Sequence, residues 1–329
     1  MNRRSFLAGA VAAAATSGAL ARISPPPTQL QPIGRPVRVL SLSFENPSLE
    51  TISAVVDTEA ARGVDFVILP ELWRGHEYIE TLDGPATRAM AALAAKHRTY
   101  ILSPNAIDNH GRRMNAAVLM DRTGKVVLEY DDVFPSEFDH KAKLDVGTSL
   151  PVYQADFGKI GVALCFDINF PDVWKSLADQ GAEIVAWPSA YPGGIPLQAH
   201  AINNHYYVVS STSSRECAVY DITGEQILYQ KSHDINVTHV TLDLDRGIYH
   251  YDMNIAKRDK LLAERPEDVR LAERMDREGW FVLEARRPGV SARALARQYS
   301  IEELRDYINR SRRELDAMRG WSFTGQSHR

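Results

Sequence analysis

The sequence predicts an α/β sandwich. Three observations carry that expectation. Strand-like and helix-like segments alternate from Val37 to Asp243, two apolar hairpins with Thr-Gly turns interrupt the alternation, and no longer repeat is present. Alternation alone suggests a parallel sheet wound by helices. The inserted hairpins add antiparallel strands and point to packed layers.

The elements follow in order. Residues 37–42 read as a strand, and residues 49–62 as a helix closed by Gly63. Residues 64–69 form a buried strand stopped by Pro70. Residues 85–97 are a helix and residues 99–103 a strand. Residues 116–121 and 125–129 pair across Thr123-Gly124, because a glycine turn between two apolar runs is the short-range hairpin signal. Residues 159–164 are a strand, residues 171–180 a helix ended by Gly181, and residues 183–187 a strand. A helix over 197–204 and a strand over 206–211 precede the second hairpin, 218–222 with 225–230 across Thr223-Gly224. Residues 237–243 are the last strand of this region.

The ends differ from this body. Arg3-Arg4-Ser5-Phe6-Leu7, an alanine-rich run to about Ala15 and the small-x-small site Ala19-Leu20-Ala21 predict a signal peptide over residues 1–21. The paired arginines resemble the twin-arginine type, which implies export to the periplasm or beyond, with no stable membrane insertion after cleavage. Residues 22–36 are a proline-rich linker, residues 37–250 the main domain, and residues 251–329 a helical C-terminal extension. In the extension, Ser300-Ile301-Glu302-Glu303 reads as a capping box. Ile301, Leu304, Ile308, Leu315 and Met318 then recur at helical spacing, a stripe that suits contact between copies in a homo-oligomer. Residues 291–301 have the look of a helix-turn-helix. Seven arginines against five acids over 291–320 are too small an excess for a nucleic-acid surface.

Composition narrows the function classes. Among 329 residues, 44% are hydrophobic and 24% charged, and the net charge is −4, so no basic field points to nucleic acid. Two cysteines, Cys165 and Cys217, are no disulfide framework. His200 and His205 lack the companions of a metal ligand set, and neither metal nor cofactor is expected.

Cys165 stands at the C-terminal end of a buried strand, before a turn and a helix. There a strand fixes a nucleophile and a turn exposes it beside backbone N–H groups. Cys165-Phe166-Asp167-Ile168-Asn169-Phe170-Pro171-Asp172 resembles the cysteine signature of amidase-type carbon–nitrogen hydrolases of the nitrilase-like family. The segment 181–185 and Pro188-Ser189-Ala190-Tyr191 match that family's next strand and loop, and Val67-Ile68-Leu69-Pro70-Glu71-Leu72 matches the strand that ends in its catalytic glutamate.

The resemblance runs from about Val37 to Asp243 and implies a four-layer α-β-β-α sandwich with a Glu-Lys-Cys triad. It assigns Cys165 as the nucleophile that forms an acyl-thioester, Glu71 as general base, and the N–H of Phe166 as an oxyanion donor. Glu137 resembles a second, substrate-positioning glutamate, and Tyr191 is a pocket candidate, whereas Trp187, Tyr206 and Tyr207 read as core. The implied substrate is a small amide or N-carbamoyl compound; a nitrile fits less well because the cysteine context is not Cys-Trp-Glu.

One position departs. With Tyr130 aligned, the family's lysine falls on Asp132. Either Lys141 or Lys143 reaches the site instead, or the protein is a catalytically impaired family member acting in binding or as a scaffold.

Overall fold

The computed structural model describes residues 33–321. The chain runs through β1 (Pro36–Ser43), α1 (Leu49–Ala60), β2 (Phe66–Ile68), β3 (Ile79–Glu80), α2 (Pro85–His97), β4 (Tyr100–Asn109), β5 (Arg112–Met120) and β6 (Val126–Asp131). Then come α3 (Glu137–Lys141), β7 (Val152–Gln154), β8 (Lys159–Val162), a 3-10 turn at Cys165–Asn169, α4 (Pro171–Asp179), β9 (Ile184–Ser189) and α5 (Ile195–Asn204). The strands β10 (Tyr207–Thr212), β11 (Glu216–Tyr220), β12 (Gln226–Lys231) and β13 (Asn236–Asp243) complete this part. The strand β14 (Gly247–His250) ends the main domain, and the extension holds α6 (Ile255–Glu264), β15 (Val269–Met275), β16 (Trp280–Ala285), α7 (Ala292–Gln298) and α8 (Leu304–Met318).

Two mixed sheets form the body. The first has the order β13-β1-β2-β4-β5-β6, with β3 alongside β4, and the second the order β12-β11-β10-β9-β8-β7. The period of two along each strand makes the layers. In β1, Val37 and Val39 face the second sheet, while Leu40 and Leu42 face α1 and α2. In β9, Ile184 and Ala186 face the first sheet, while Val185 and Trp187 lie under α4 and α5. The result is the four-layer α-β-β-α sandwich, with apolar clusters between the sheets and under each helical layer. Serines stitch the sheets across the buried middle: Ser41 Oγ donates to Ser210 O at 2.7 Å, and Ser43 Oγ to Glu216 O at 2.8 Å.

The two hairpins close alike. Asp121 Oδ1 accepts the Thr123 N–H at 2.8 Å, and Asp221 Oδ1 accepts the Thr223 N–H at 2.8 Å. Each then turns on a glycine at φ 82°, Gly124 or Gly224. At Gly124 the left-handed φ and close approach coincide, because a Cβ there would stand 2.5 Å from Ala91 O.

The extension carries helices and also β15 and β16, which pair with β14 of the main domain in a three-stranded sheet of order β14-β16-β15. It packs on its own chain. Ile248, Val282 and Leu304 join the apolar cluster between the sheets, and Arg293 bridges Glu183 at 2.8 Å and Glu303 at 2.6 Å. The capping box read at Ser300 does not form: Ser300 is left-handed at φ 56°, α8 begins at Leu304, and Glu303 is its N-cap residue. Among the described residues no helix is long and apolar enough to cross a membrane. The signal peptide expected over 1–21 and residues 22–32 of the linker lie outside the described residues.

Candidate active site

The C-terminal ends of β2 and β8, one from each sheet, deliver the two residues that the sequence singles out. After β2 the chain passes Leu69 and Pro70 and presents Glu71, which is buried. After β8 it passes Ala163 and Leu164 and presents Cys165, whose φ is 32°. That left-handed conformation costs a non-glycine residue energy, and it persists only where the surroundings fix it.

The surroundings do fix it. Asp167 Oδ2 accepts the Leu164 N–H at 2.8 Å and also the Tyr130 hydroxyl, which comes from β6 in the opposite sheet. Trp187 Nε1 donates to Cys165 O at 3.2 Å, and Trp174 Nε1 donates to Asp167 O at 3.0 Å. His200, stacked on Trp174 with ring centroids 4.1 Å apart, hydrogen-bonds Ile168 O at 2.8 Å. Tyr206 and Tyr207 are core, as read, and so is Trp187, with its indole N–H spent on the cysteine turn.

The Cys165 thiol hydrogen-bonds Glu71 and Ser189. Burial, and then the nearby Glu71 charge, push the thiol well above its ordinary range, so it is protonated at neutral pH. Burial pushes Glu71 up to about 7, opposed by the hydrogen bonds from Cys165 and Asn115. The pair at rest is therefore a thiol beside a carboxyl poised to exchange a proton near neutrality.

Asp132 lies one residue beyond β6, buried, and Asn115 of β5 joins it to the pair. Asn115 Nδ2 donates to Glu71 Oε1 at 2.8 Å and to Asp132 Oδ2 at 3.3 Å. Asp132 Oδ1 accepts the Phe134 N–H at 3.1 Å. Burial first, and then the Asp167 charge, push Asp132 far above the usual carboxylate range. Burial also lifts Asp167, to about 6, so the two neighbouring acids titrate together. Asp132 is thus a neutral, hydrogen-bonded member of the site rather than a cation's replacement in charge.

Neither lysine takes the family's position. Lys141 is exposed and pairs with Glu137 at 2.8 Å, and Lys143 is exposed as well. Glu137 is not brought to the site either, since its side chain is 82% exposed. The acid turned inward from α3 is Asp139, because Ser136 caps that helix and Asp139 Oδ2 accepts the Ser136 N–H at 2.9 Å. Glu71, Asp132 and Asp139 place ligand-type oxygens within 4.8 Å of one another, compact enough for a cation. Their oxygens are already engaged, those of Asp132 by Phe134 and Asn115, those of Asp139 by Ser136 and His76, so the cluster is satisfied from within. The sequence signal for Asp139 was its place three residues after Ser136; His76 carried none.

Aromatic rings border the cysteine. Phe166 meets Phe170 edge-on at 5.8 Å, and Phe170 stacks on Phe134 at 3.7 Å. Tyr191 meets Trp187 edge-on at 5.5 Å, and burial, followed by the Cys165 and Glu71 charges, pushes its hydroxyl up to about 12. Phe166 and Tyr191 stay partly exposed and offer apolar surface to a ligand.

The carbon-nitrogen hydrolase family profile matches residues 38–247. The chain is 29% identical over 186 residues to a beta-ureidopropionase of Arabidopsis thaliana, covering 49% of this chain and 46% of that protein. It is 30% identical over 165 residues to a hydrolase in the agr operon of Staphylococcus lugdunensis, covering 45% and 70%. The fold superposes with a TM-score of 0.57 on a mutant of the amidase from Nesterenkonia sp. AN1 in complex with acrylamide, at 19% identity, covering 65% of this chain and 95% of that one. It superposes equally, at 0.57, on Saccharomyces cerevisiae Nit3, of the nitrilase superfamily, at 18% identity, covering 64% and 91%. With its sandwich, its strand-end glutamate and its buried cysteine, the chain belongs to the carbon–nitrogen hydrolase family.

Proposed function

We propose that the protein hydrolyses a non-peptide C–N bond in a small amide or N-carbamoyl compound through an acyl-thioester on Cys165. The observation that carries this reading is the buried Glu71 carboxyl set beside the buried Cys165 thiol at the ends of β2 and β8. Cys165 Sγ attacks the carbonyl carbon as its proton passes to Glu71. The oxyanion takes the Phe166 N–H, and Glu71 returns the proton to the departing amine. Glu71 then deprotonates water, which opens the thioester, and the released acid leaves the thiol restored. Asp132 is a positioning residue here, holding Asn115 and through it Glu71. The experiment is turnover of a panel of small amides and N-carbamoyl amino acids, read by released amine or ammonia. No turnover of any member sinks the reading.

Asp132→Lys sets an ammonium among Glu71, Asp139 and Asp167. An opposite charge at that range lowers a carboxyl by about 1–3 pH units. The acid limb of kcat/KM is expected to move from near 7 towards lower pH, and an unmoved limb contradicts this placement of Asp132.

Two further properties belong to the same reading. The paired arginines and the Ala19-Leu20-Ala21 site support export by the twin-arginine route to the periplasm or beyond. N-terminal sequencing of native protein is expected to begin at or near Arg22; a full-length cytoplasmic chain rejects the idea. The tail helix supports self-association, because Ile308, Leu315 and Met318 of α8 stand exposed. Leu315→Glu with Met318→Glu is expected to lower the oligomeric mass in light scattering, and an unchanged mass argues against that contact.

A further inference from the structure

Three acids meet beside Cys165, and buried acids persist only where protons or cations balance them. Burial and the Asp167 charge push Asp132 far above the usual carboxylate range, so it is the protonated member of the group. Glu71 and Asp139 remain. The neighbouring cations of the described residues are turned elsewhere: Lys141 pairs with Glu137 at 2.8 Å, Arg74 lies over the Tyr78 ring at 4.8 Å, and Arg112 pairs with Asp145 at 3.8 Å. His76 is the exception. Its Nε2 stands 3.4 Å from Asp139 Oδ1, at the rim of the acid cluster.

The backbone brings it there. Leu72 is left-handed at φ 41°, Gly75 follows at φ 93°, and the Gly75 N–H donates to Leu72 O at 2.7 Å. This tight turn, just after Glu71, sends the chain back so that His76 meets α3. Any β-carbon at Gly75 would be strained by that φ and would stand 2.8 Å from the Glu77 carboxylate.

We propose that the His76 imidazolium, by pairing with Asp139, offsets the charge that would otherwise hold Glu71 protonated, in the absence of the lysine that the family resemblance implies. It is a positioning residue that acts through Asp139 and Glu71 and touches no substrate. The groups acting on it are acidic from both sides: Asp139 of α3, and Glu71 and Glu77 of its own loop. The hydrogen bond to Asp139 raises the imidazole above its ordinary value. Asp139, which burial alone would raise, is held below the usual carboxylate range by His76 and Ser136. The two limbs of the activity profile then belong to a coupled pair, Glu71 losing its proton on the acid side and His76 losing its proton on the alkaline side.

This inference rests on the Cys165–Glu71 reading. Its test is the pH dependence of kcat/KM for the wild type, His76→Gln and His76→Lys. His76→Gln is expected to lose roughly tenfold in kcat/KM, to shift the acid limb upward and to lack the alkaline limb, with KM little changed. His76→Lys, whose cation does not titrate below about pH 9, is expected to recover activity and carry it to higher pH than the wild type. The proposal is overturned if the His76→Gln profile superimposes on that of the wild type, or if His76→Lys behaves as His76→Gln does. Iodoacetamide alkylation of Cys165 against pH reads the same charge without turnover. An alkylation profile shifted by His76→Gln in a protein that hydrolyses nothing would reject the hydrolase reading while upholding this one.

Discussion

Cys165→Ala is expected to abolish turnover, with a loss on the order of 10⁶ in kcat, because removing the nucleophile of a catalytic unit removes the covalent route entirely. The strained turn is held by Asp167, Trp187 and Trp174 through groups other than the thiol, so the variant folds. Cys217 provides the control. It is fully buried in β11, and burial pushes its thiol up to about 11. Cys217→Ala is expected to leave kcat/KM within about twofold and to lower Tm slightly, as loss of one buried sulfur does. Equal damage from the two variants would mean that Cys165 acts as core rather than as nucleophile.

Glu71→Gln carries the second large effect, and its sign differs between activity and stability. Activity is expected to fall by about 10²–10⁴, the usual contribution of a general base. The limb near pH 7, where the wild type gains activity as Glu71 ionises, is expected to vanish. Stability moves the other way. The folded carboxyl titrates near 7 and the ordinary value is 4.5, so between these pH values the folded state holds a proton that the unfolded chain has released. Wild-type stability therefore declines as pH rises through that window, by up to about 3 kcal/mol. A neutral glutamine carries no such burden. Above pH 7 the variant is expected to melt higher than the wild type, with the difference gone below about pH 4.5. Scanning calorimetry at several pH values checks it, and a variant that melts lower at pH 8 would show that Glu71 is not strained by burial.

Much of the site was legible because it is local in sequence. Glu71 follows an apolar strand and a proline, and Cys165 follows an apolar strand and precedes a helix, so each motif fixes its own geometry. Asp132 was legible because Tyr130 sets its register in β6, and Tyr130 does point across to Asp167.

What was not legible depends on backbone turns and partners. Glu137 and Asp139 are both acids at the start of α3, and only the helix cap decides that the second faces inward. His76 reaches the site through a left-handed leucine, which no sequence pattern announces. β4 passes through Pro104 and runs on to Asn109, well past the end expected near Ser103, because it pairs with β5 over that length. In the extension, Val269–Met275 carries charges at spacings that suit a helix, yet it pairs with β16, where Val269 and Leu271 extend the apolar cluster of Phe281 and Leu283.

The central claim is that Cys165 carries the acyl group. Intact-mass analysis of acid-quenched protein, after incubation with small amides and N-carbamoyl compounds, tests it most directly. The account predicts a mass increase equal to the acyl group in the wild type, mapped to Cys165 and absent in Cys165→Ala. Substrate turnover without any adduct, or an adduct retained in Cys165→Ala, would contradict it.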